Sequence, residues 1–96
     1  MIKIGINGFG RIGRAFLRIN LKNQKYEIVA INEIDRDLEN LAYLLKYDST
    51  YGKLFSHKVS TSDDSIIIDD HKIKVYHESD ISKVCWEEND VDIVID

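Results

Sequence analysis

Three glycines near the amino terminus are spaced in a way that suits phosphate binding. The segment Gly8–Gly13, Gly-Phe-Gly-Arg-Ile-Gly, fits the pattern G-x-G-x-x-G. In this pattern the first glycine permits a tight turn, the second lets the backbone approach a pyrophosphate, and the third lets helix and strand pack closely. The N–H groups at the start of a following helix, including those of Arg11 and Ile12, would then face the anion. The spacing therefore indicates a phosphate-binding turn.

The glycine pattern is informative when a strand precedes the turn and a helix follows it, and the apolar residues predict both. The segment Ile2–Ile6 predicts a short strand that ends at Asn7. From Arg11 onward a helix is predicted, because apolar residues recur at i, i+3, i+4 and i+7 and define one buried face. The residues of that predicted face are Ile12, Ala15, Phe16 and Ile19. Polar residues 20–25 end the helix.

An acidic residue stands where a dinucleotide site needs one. Glu27–Asn32 is a second apolar segment of strand length, and Glu33 follows it, 20 residues beyond Gly13. In the dinucleotide-binding fingerprint this carboxylate accepts hydrogen bonds from the adenosine ribose hydroxyls. It would repel the extra phosphate of NADP, so NAD is favoured, although Arg36 could turn toward a phosphate or stay solvated. A glycine-rich turn that binds nothing is the alternative interpretation.

The remaining pattern predicts an α/β fold. Leu38–Leu45 repeats the helical spacing, with Asp35 and Asp37 placed for the N-cap or first turn. The first 47 residues therefore run strand–helix–strand–helix, which implies a Rossmann-type parallel sheet with right-handed crossovers. A small antiparallel insertion is expected at residues 53–78. A final apolar strand, covered on both faces, is expected at Val91–Ile95.

The insertion has the residues of a hairpin. His57–Thr61 predicts a short strand, and Ser65–Asp69 and Lys72–His77 flank a turn at Asp70-His71 that lacks glycine. Asp63-Asp64 and Asp69-Asp70 are interpreted as turn residues and negative surface. Ile81–Trp86 predicts a short helical turn.

Composition excludes several classes of protein. With 44% hydrophobic and 31% charged residues the chain is globular, and no apolar run approaches the roughly 18 residues of a membrane span. The net charge of −4 argues against a nucleic-acid partner, although residues 1–32 hold six Lys or Arg and one acidic residue. The single cysteine and the absence of a signal segment favour a cytoplasmic setting. Because the chain stops after a strand that looks central, residues 1–96 are expected to be the N-terminal portion of a doubly wound domain.

Longer segments resemble a known family. Ile4–Arg14 resembles the opening of phosphorylating glyceraldehyde-3-phosphate dehydrogenases, and Val29–Asn32 resembles the second strand of that family. Lys46–Lys53, Lys-Tyr-Asp-Ser-Thr-Tyr-Gly-Lys, is similar to its next signature. Ser82, Lys83, Trp86 and the closing strand also follow the family pattern. The resemblance covers essentially the whole chain.

The resemblance implies an NAD site and a role for each matching residue. Asn7 and Asn32 would line the adenosine half, and the backbone of Arg11 and Ile12 would meet the pyrophosphate. Glu33 takes the usual Asp position, as it does in the related erythrose-4-phosphate dehydrogenases. Ser79 takes a usual Arg position, whose main chain approaches the adenine, and Tyr51 replaces a frequent His. The predicted cofactor-binding residues are Asn7, Gly8, Phe9, Gly10, Arg11, Ile12, Gly13, Asn32, Glu33 and Ser79.

The catalytic residues of that family have no counterpart in this sequence. Its chemistry needs a nucleophilic cysteine in a Ser-Cys-Thr-Thr-Asn-Cys-type segment, an activating histidine and basic residues for substrate phosphates. Cys85, beside Trp86, is interpreted as a packing cysteine, and His57, His71 and His77 as surface strand and turn residues without metal-ligand spacing. No catalytic residue and no metal site are predicted, and the chain alone is expected to be inactive.

Other functions remain open on the sequence. A regulatory or interaction module could keep nucleotide binding and lack catalysis, and some ligand-sensing Rossmann domains also carry a Gly-x-Gly-Arg-x-Gly turn. The Lys46–Lys53 segment disfavours the ligand-sensing alternative. The family resembled is homotetrameric, and the chain is expected to self-associate because Val91–Ile95 would have one unpaired edge.

Overall fold

The computed structural model describes residues 1–47 and 57–96, which form six strands, two α-helices and two short 3-10 helices. The strands are β1 (Ile2–Asn7), β2 (Tyr26–Asn32), β3 (Val59–Ser62), β4 (Ser65–Ile68), β5 (His71–Tyr76) and β6 (Ile93–Ile95). The helices are α1 (Arg11–Asn23) and α2 (Leu38–Lys46), and the 3-10 helices span Ile81–Lys83 and Trp86–Asn89. Tyr51 and most of the Lys46–Lys53 signature lie outside the described residues.

The strands form one sheet in the order β3-β4-β5-β2-β1-β6. β5, β2, β1 and β6 are parallel, and β3 and β4 are antiparallel to their neighbours. The predicted α/β class, with a Rossmann-type parallel sheet and a small antiparallel addition, is confirmed. β5 pairs antiparallel with β4 on one side and parallel with β2 on the other, so the second strand of the expected hairpin also belongs to the parallel sheet. The boundary of the insertion at residues 53–78 stays a prediction.

A bulge lets two strands share one apolar face. Ile4 pairs with Ile28, but the next residue, Gly5, pairs with Ala30, so β2 carries one extra residue. Ile28 and Ile31, three residues apart, therefore join one buried cluster on a single face of the sheet. The cluster also contains Ile4, Ile6, Leu17, Leu41, Leu45, Ile73 and Val75. Both helices cover this face.

The buried face of α1 matches the predicted one only in part. Ala15 is buried and Phe16 packs against the core, as predicted. Ile12 is 80% exposed and Ile19 is 54% exposed, while Gly13 and Leu17 are buried, so the buried stripe is rotated from the predicted one. Gly13 packs so closely on the preceding turn that it fixes the rotation of the helix, and the buried stripe then runs through Leu17.

α2 begins and packs as the sequence predicts. Asp37 is its N-cap, with a carboxylate oxygen that accepts from the Asn40 N–H at 3.1 Å. Leu41 and Leu45 are buried against the sheet. The buried Arg18 of α1 donates a hydrogen bond to the Leu45 carbonyl, so a charged side chain joins the last turn of α2 to α1.

The hairpin turn lies one residue earlier than predicted. Ile68 pairs with His71, so the two turn residues are Asp69 and Asp70, and both have positive φ, 48° and 72°. Two consecutive positive φ values are the requirement of a type I′ turn, and aspartate is one of the few residues other than glycine that meets it. The Asp69 carboxylate also accepts from the Lys58 N–H at 2.8 Å, which fixes the start of β3.

The last strand is shorter and more exposed than predicted. β6 begins at Ile93 instead of Val91 and pairs with β1 alone among the described residues. Ile93 is 50% exposed and Val94 is 36% exposed, so the expectation of a strand covered on both faces is wrong for this chain. Apolar side chains make a strand suitable for burial, but they are buried only where another layer of the structure packs on them.

Trp86 covers the second face of the sheet. A Cβ added at Gly5 would lie 2.6 Å from the Trp86 ring, and the ring also meets Tyr76 edge-on, with centroids 6.4 Å apart. Only a residue without a side chain lets the indole lie directly on β1. This contact holds the second 3-10 helix against the sheet and helps to place β6 beside β1.

We predict that Gly5→Ala destabilises the domain and that Gly10→Ala does not. The new methyl at Gly5 must push Trp86 away and should lower the free energy of unfolding by about 1–3 kcal/mol. At Gly10 no atom lies within 4 Å of an added Cβ, so that change should alter it by less than about 1 kcal/mol. Urea unfolding followed by circular dichroism measures both. Equal stability of the two variants would contradict the close packing of Trp86 on Gly5.

Candidate cofactor site

The carboxyl ends of three parallel strands meet at one edge of the sheet. Asn7 pairs with Asn32, which pairs with Tyr76, and each strand ends at that residue. β2 and β5 lie on one side of β1 and β6 on the other, so the chain direction across the sheet reverses next to β1. Ligands of open α/β sheets bind outside the carboxyl ends of the strands at such a reversal. The glycine turn starts here.

The turn between β1 and α1 is held by its own backbone. Gly8 has φ of +94°, and its N–H donates to the Asn32 carbonyl at 2.7 Å. The first main-chain hydrogen bond of the helix runs from the Arg14 N–H to the Gly10 carbonyl at 3.0 Å, and the first turn holds no acidic residue. The N–H groups of Arg11 and Ile12 come before that bond, so they are placed to receive an anion.

The three glycines are required for three different reasons, as the pattern predicts. A Cβ on Gly13 would lie 2.5 Å from the Gly8 carbonyl oxygen, which makes Gly13 the point of close packing. Gly8 is required by its left-handed backbone. Gly10 has open space where a side chain would be, which is the space that a pyrophosphate needs.

Glu33 ties the glycine turn to the next loop. One carboxylate oxygen accepts from the Phe9 N–H at 2.8 Å, and the other accepts from the Asp35 N–H at 3.0 Å. The backbone N–H of Glu33 donates to the Tyr76 carbonyl at 2.8 Å. Each carboxylate oxygen has a further lone pair, so the group can still accept from a hydroxyl of a ligand. Glu33 therefore positions the turn and keeps acceptor capacity for a ligand; its contact with a ribose stays a prediction.

Asn32 is a buried connector between loops. It is 4% exposed, and its amide donates to the Asn7 side-chain oxygen and to the Glu78 carbonyl, both at 3.0 Å. Its side-chain oxygen accepts from the Glu78 N–H at 2.9 Å. Asn7 in turn donates to Asp96 at 3.2 Å. These bonds satisfy the amide of Asn32, so it aligns the strand ends.

Five of the predicted cofactor residues line one cleft of about 300 Å³ at this edge. They are Asn7, Gly8, Asn32, Glu33 and Ser79, and the cleft also includes Ile34, Glu78, Ile81 and Asp96. Gly10, Arg11 and Ile12 lie in the adjoining turn and are exposed. The Phe9 ring is buried in the core, so Phe9 can reach a ligand only through its backbone. The volume is at the lower end of the range for small-molecule clefts.

A second cleft lies at the opposite end of the sheet. It has a volume of about 320 Å³, and aliphatic side chains of α1, β2 and the β4–β5 hairpin line much of it, Leu21 and Ile68 among them. It has neither a glycine turn nor a helix N-terminus. Although its volume is slightly larger, it lacks the groups that would bind a phosphate. The cleft at the strand ends is therefore the candidate site.

The single thiol is not the packing cysteine that was predicted. Cys85 is exposed between the two 3-10 helices. The carboxylate of Glu88, which receives the thiol hydrogen bond, raises the pKa of Cys85 above its ordinary value. A raised pKa reduces the thiolate fraction, and thiolate is the nucleophilic form.

The histidines bind structural partners. His57 Nδ1 lies 2.5 Å from an Asp69 carboxylate oxygen, and His71 Nε2 lies 2.8 Å from the Ile28 carbonyl. His77 is half-buried and contacts the backbone of Glu33. Within residues 1–47 and 57–96 no group of His, Cys, Asp and Glu could hold a metal ion.

The sequence interpretation missed His77, Ile34 and the backbone of Glu78. Ile34 and His77 directly follow Glu33 and β5 at the edge where parallel strands end. This position was the signal that the sequence offered, because residues that follow neighbouring parallel strands come together at one edge of the sheet. The hydrogen bonds of His77 and of the Glu78 backbone join residues more than 40 positions apart, which no local pattern encodes.

Fold and site together define a Rossmann-type dinucleotide-binding domain, and comparison with known proteins identifies its family. A family model described as "Glyceraldehyde 3-phosphate dehydrogenase, NAD binding domain" matches residues 2–96. The chain belongs to this family, as the resemblance implied, and its cofactor is NAD. This assignment supersedes the ligand-sensing alternative.

Several curated relatives carry the same name. The chain is 47% identical to glyceraldehyde-3-phosphate dehydrogenase 1 of Kluyveromyces lactis over 96 residues, which is 100% of this chain and 29% of that protein. It is 48% identical to glyceraldehyde-3-phosphate dehydrogenase of Yarrowia lipolytica over 95 residues, 99% of this chain and 28% of that protein. It is 43% identical to glyceraldehyde-3-phosphate dehydrogenase 2 of Saccharomyces cerevisiae over 96 residues, 100% of this chain and 29% of that protein. The chain thus spans less than a third of the length of these relatives.

We predict that Gly10→Val abolishes binding of ADP-ribose while the domain stays folded. The valine side chain would fill the open space over the turn, so affinity should fall by more than about tenfold. Isothermal titration calorimetry measures the affinity, and circular dichroism measures the fold. Gly13→Ala is the contrasting variant, because its methyl would collide with the Gly8 carbonyl and should lower stability. Unchanged affinity in Gly10→Val would contradict the assignment of the turn.

Proposed function

We propose that this domain holds the adenosine and pyrophosphate half of NAD for an oxidoreductase that acts on a phosphorylated aldehyde. The observation that carries the proposal is the open space over Gly10, at the start of α1 and beside Glu33. The substrate class is supported by the relatives, which are named glyceraldehyde-3-phosphate dehydrogenase. NAD supplies hydride acceptance when it is bound. For the same reason we propose glyceraldehyde 3-phosphate over erythrose 4-phosphate.

The described residues divide the binding task among them. The backbone N–H groups of Arg11 and Ile12 bind the pyrophosphate, and the positive end of the α1 dipole favours its charge. The Glu33 carboxylate accepts from the ribose hydroxyls. Ile34 and Ile81, both exposed at the cleft, provide apolar surface for the adenine, and Ser79 lines the same cleft. All of these contacts are with the adenosine and pyrophosphate, so this half of NAD can bind without contacts to the nicotinamide.

The charge at Glu33 supports selection of NAD over NADP. A 2′-phosphate would lie next to a carboxylate that already accepts two backbone N–H groups, and like charges in close contact cost several kcal/mol. Arg36 is exposed and is not among the described residues that line the cleft. We therefore propose that the domain disfavours NADP.

We propose further that these 96 residues alone do not reduce NAD with an aldehyde substrate. The family's chemistry uses a cysteine thiolate, and the one thiol of this chain is exposed, with a pKa raised by Glu88. Its hydrogen-bond partner, the Glu88 carboxylate, favours the neutral thiol, so the nucleophilic thiolate is disfavoured. The chain contributes the cofactor side of the reaction.

Assembly and location complete the proposal. Among residues 1–47 and 57–96, β6 pairs with β1 alone, and its partly exposed apolar residues favour association of copies through that edge, in keeping with a homotetrameric family. The lone cysteine favours a reducing, cytoplasmic setting. No helix in residues 1–47 and 57–96 has the length and apolar character needed to cross a membrane.

We predict that ADP-ribose binds the 96-residue chain almost as tightly as NAD does. All of the proposed contacts are with the adenosine and pyrophosphate, so the nicotinamide should add little. Calorimetry with both ligands at millimolar concentration measures the ratio. Tighter binding of NAD by tenfold or more, about 1.4 kcal/mol, would show a nicotinamide pocket here and contradict the proposed division of the site.

A further inference from the structure

His77 contacts the residue that the ribose site depends on. It is the first residue after β5, it is half-buried, and its Nδ1 lies 2.8 Å from the Glu33 carbonyl oxygen. A carbonyl oxygen only accepts hydrogen bonds, so Nδ1 carries a proton and donates it. The contact joins two loops 44 residues apart in the sequence.

Glu33 needs such a donor because the strand pairing has ended. The last pair between β2 and β5 is Asn32 with Tyr76, and the Glu33 N–H still reaches the Tyr76 carbonyl at 2.8 Å. The Glu33 carbonyl lies beyond that ladder, and the His77 side chain supplies its hydrogen bond. Both polar groups of the Glu33 backbone are thereby fixed to the end of β5.

Because the backbone of Glu33 is held in place, the direction of its side chain is also set. The Glu33 carboxylate accepts from the Phe9 N–H and the Asp35 N–H, which holds its two oxygens at the mouth of the cleft. If the Glu33 carbonyl lost its donor, the peptide that follows Glu33 could rotate. The Asp35 N–H would then move with it, and the carboxylate would lose one of its two anchors.

We propose that His77 is a positioning residue for the adenosine ribose, acting through Glu33. The proposal rests on the proposed function, since it assumes that Glu33 receives the ribose hydroxyls. His77 itself touches no ligand in this account. Its side-chain donor orients the carboxylate, so its removal should weaken ligands that carry the ribose hydroxyls and spare those that lack them.

Two substitutions separate the hydrogen-bond donor of His77 from the bulk of its side chain. His77→Asn keeps a donor, because the amide nitrogen of Asn stands two bonds from Cβ, as Nδ1 does. His77→Leu fills similar space without a donor. Calorimetry gives the affinities of the 96-residue chain and both variants for ADP and for 2′,3′-dideoxy-ADP, which has the same phosphates but no ribose hydroxyls.

The expected result is a selective loss. His77→Leu should weaken ADP by about threefold to tenfold, the effect of one hydrogen bond, and leave 2′,3′-dideoxy-ADP unchanged within about twofold. His77→Asn should restore ADP binding to within about twofold of the original chain. His77→Ala serves in the same comparison if the leucine variant does not fold. In a chain that already carries Glu33→Ala, the change at position 77 should have no further effect on ADP.

Three results would overturn the inference. Equal loss of both ligands in His77→Leu would show a general loosening of the cleft instead of an effect through Glu33. Unchanged ADP affinity would show that Glu33 is oriented without His77, and a full effect in the Glu33→Ala background would show that His77 acts by another route. Failure of the unsubstituted chain to bind ADP at all would instead overturn the proposed function, and the inference with it.

Discussion

The close approach of α1 to the end of β1 is the constraint on which the rest of the structure depends. Gly13 lies so near the turn that an added Cβ would be 2.5 Å from the Gly8 carbonyl oxygen. This contact sets the rotation of the helix, and with it the burial of Leu17 on the sheet. It also sets the direction of the first N–H groups of the helix, so packing and the proposed anion binding depend on the same contact.

The second organising feature is the bracing of loops at the strand ends. Glu33 joins the glycine turn to the loop after β2 through the Phe9 and Asp35 N–H groups, and Asn32 joins β1 to the loop after β5. Each brace uses a polar side chain that is held by at least two hydrogen bonds, so the cleft is largely formed before a ligand enters. A preformed site loses less conformational entropy on binding. The Glu33 carboxylate thus has a structural task, and we propose that it also recognises the ribose.

Much of the fold follows from the sequence because local rules apply there. The glycine spacing, the Asp37 cap and the apolar strands each depend on a few neighbouring residues. The failures lie where the outcome depends on distant neighbours. The face of α1 is chosen by Gly13 instead of by the apolar count, and the exposure of Cys85 and β6 depends on which layer covers them. His77 was missed as a site residue because its partner is 44 positions away.

The location of the nucleotide is the central claim, and backbone amide chemical shifts of ¹⁵N-labelled chain titrated with ADP-ribose test it most directly. We expect the largest changes in amide chemical shift at Gly10, Arg11 and Glu33, at the carboxyl ends of the parallel strands. The residues of the opposite cleft, such as Leu21 and Ile68, should change little. The largest changes at Leu21 and Ile68, with the glycine turn unaffected, would contradict the account.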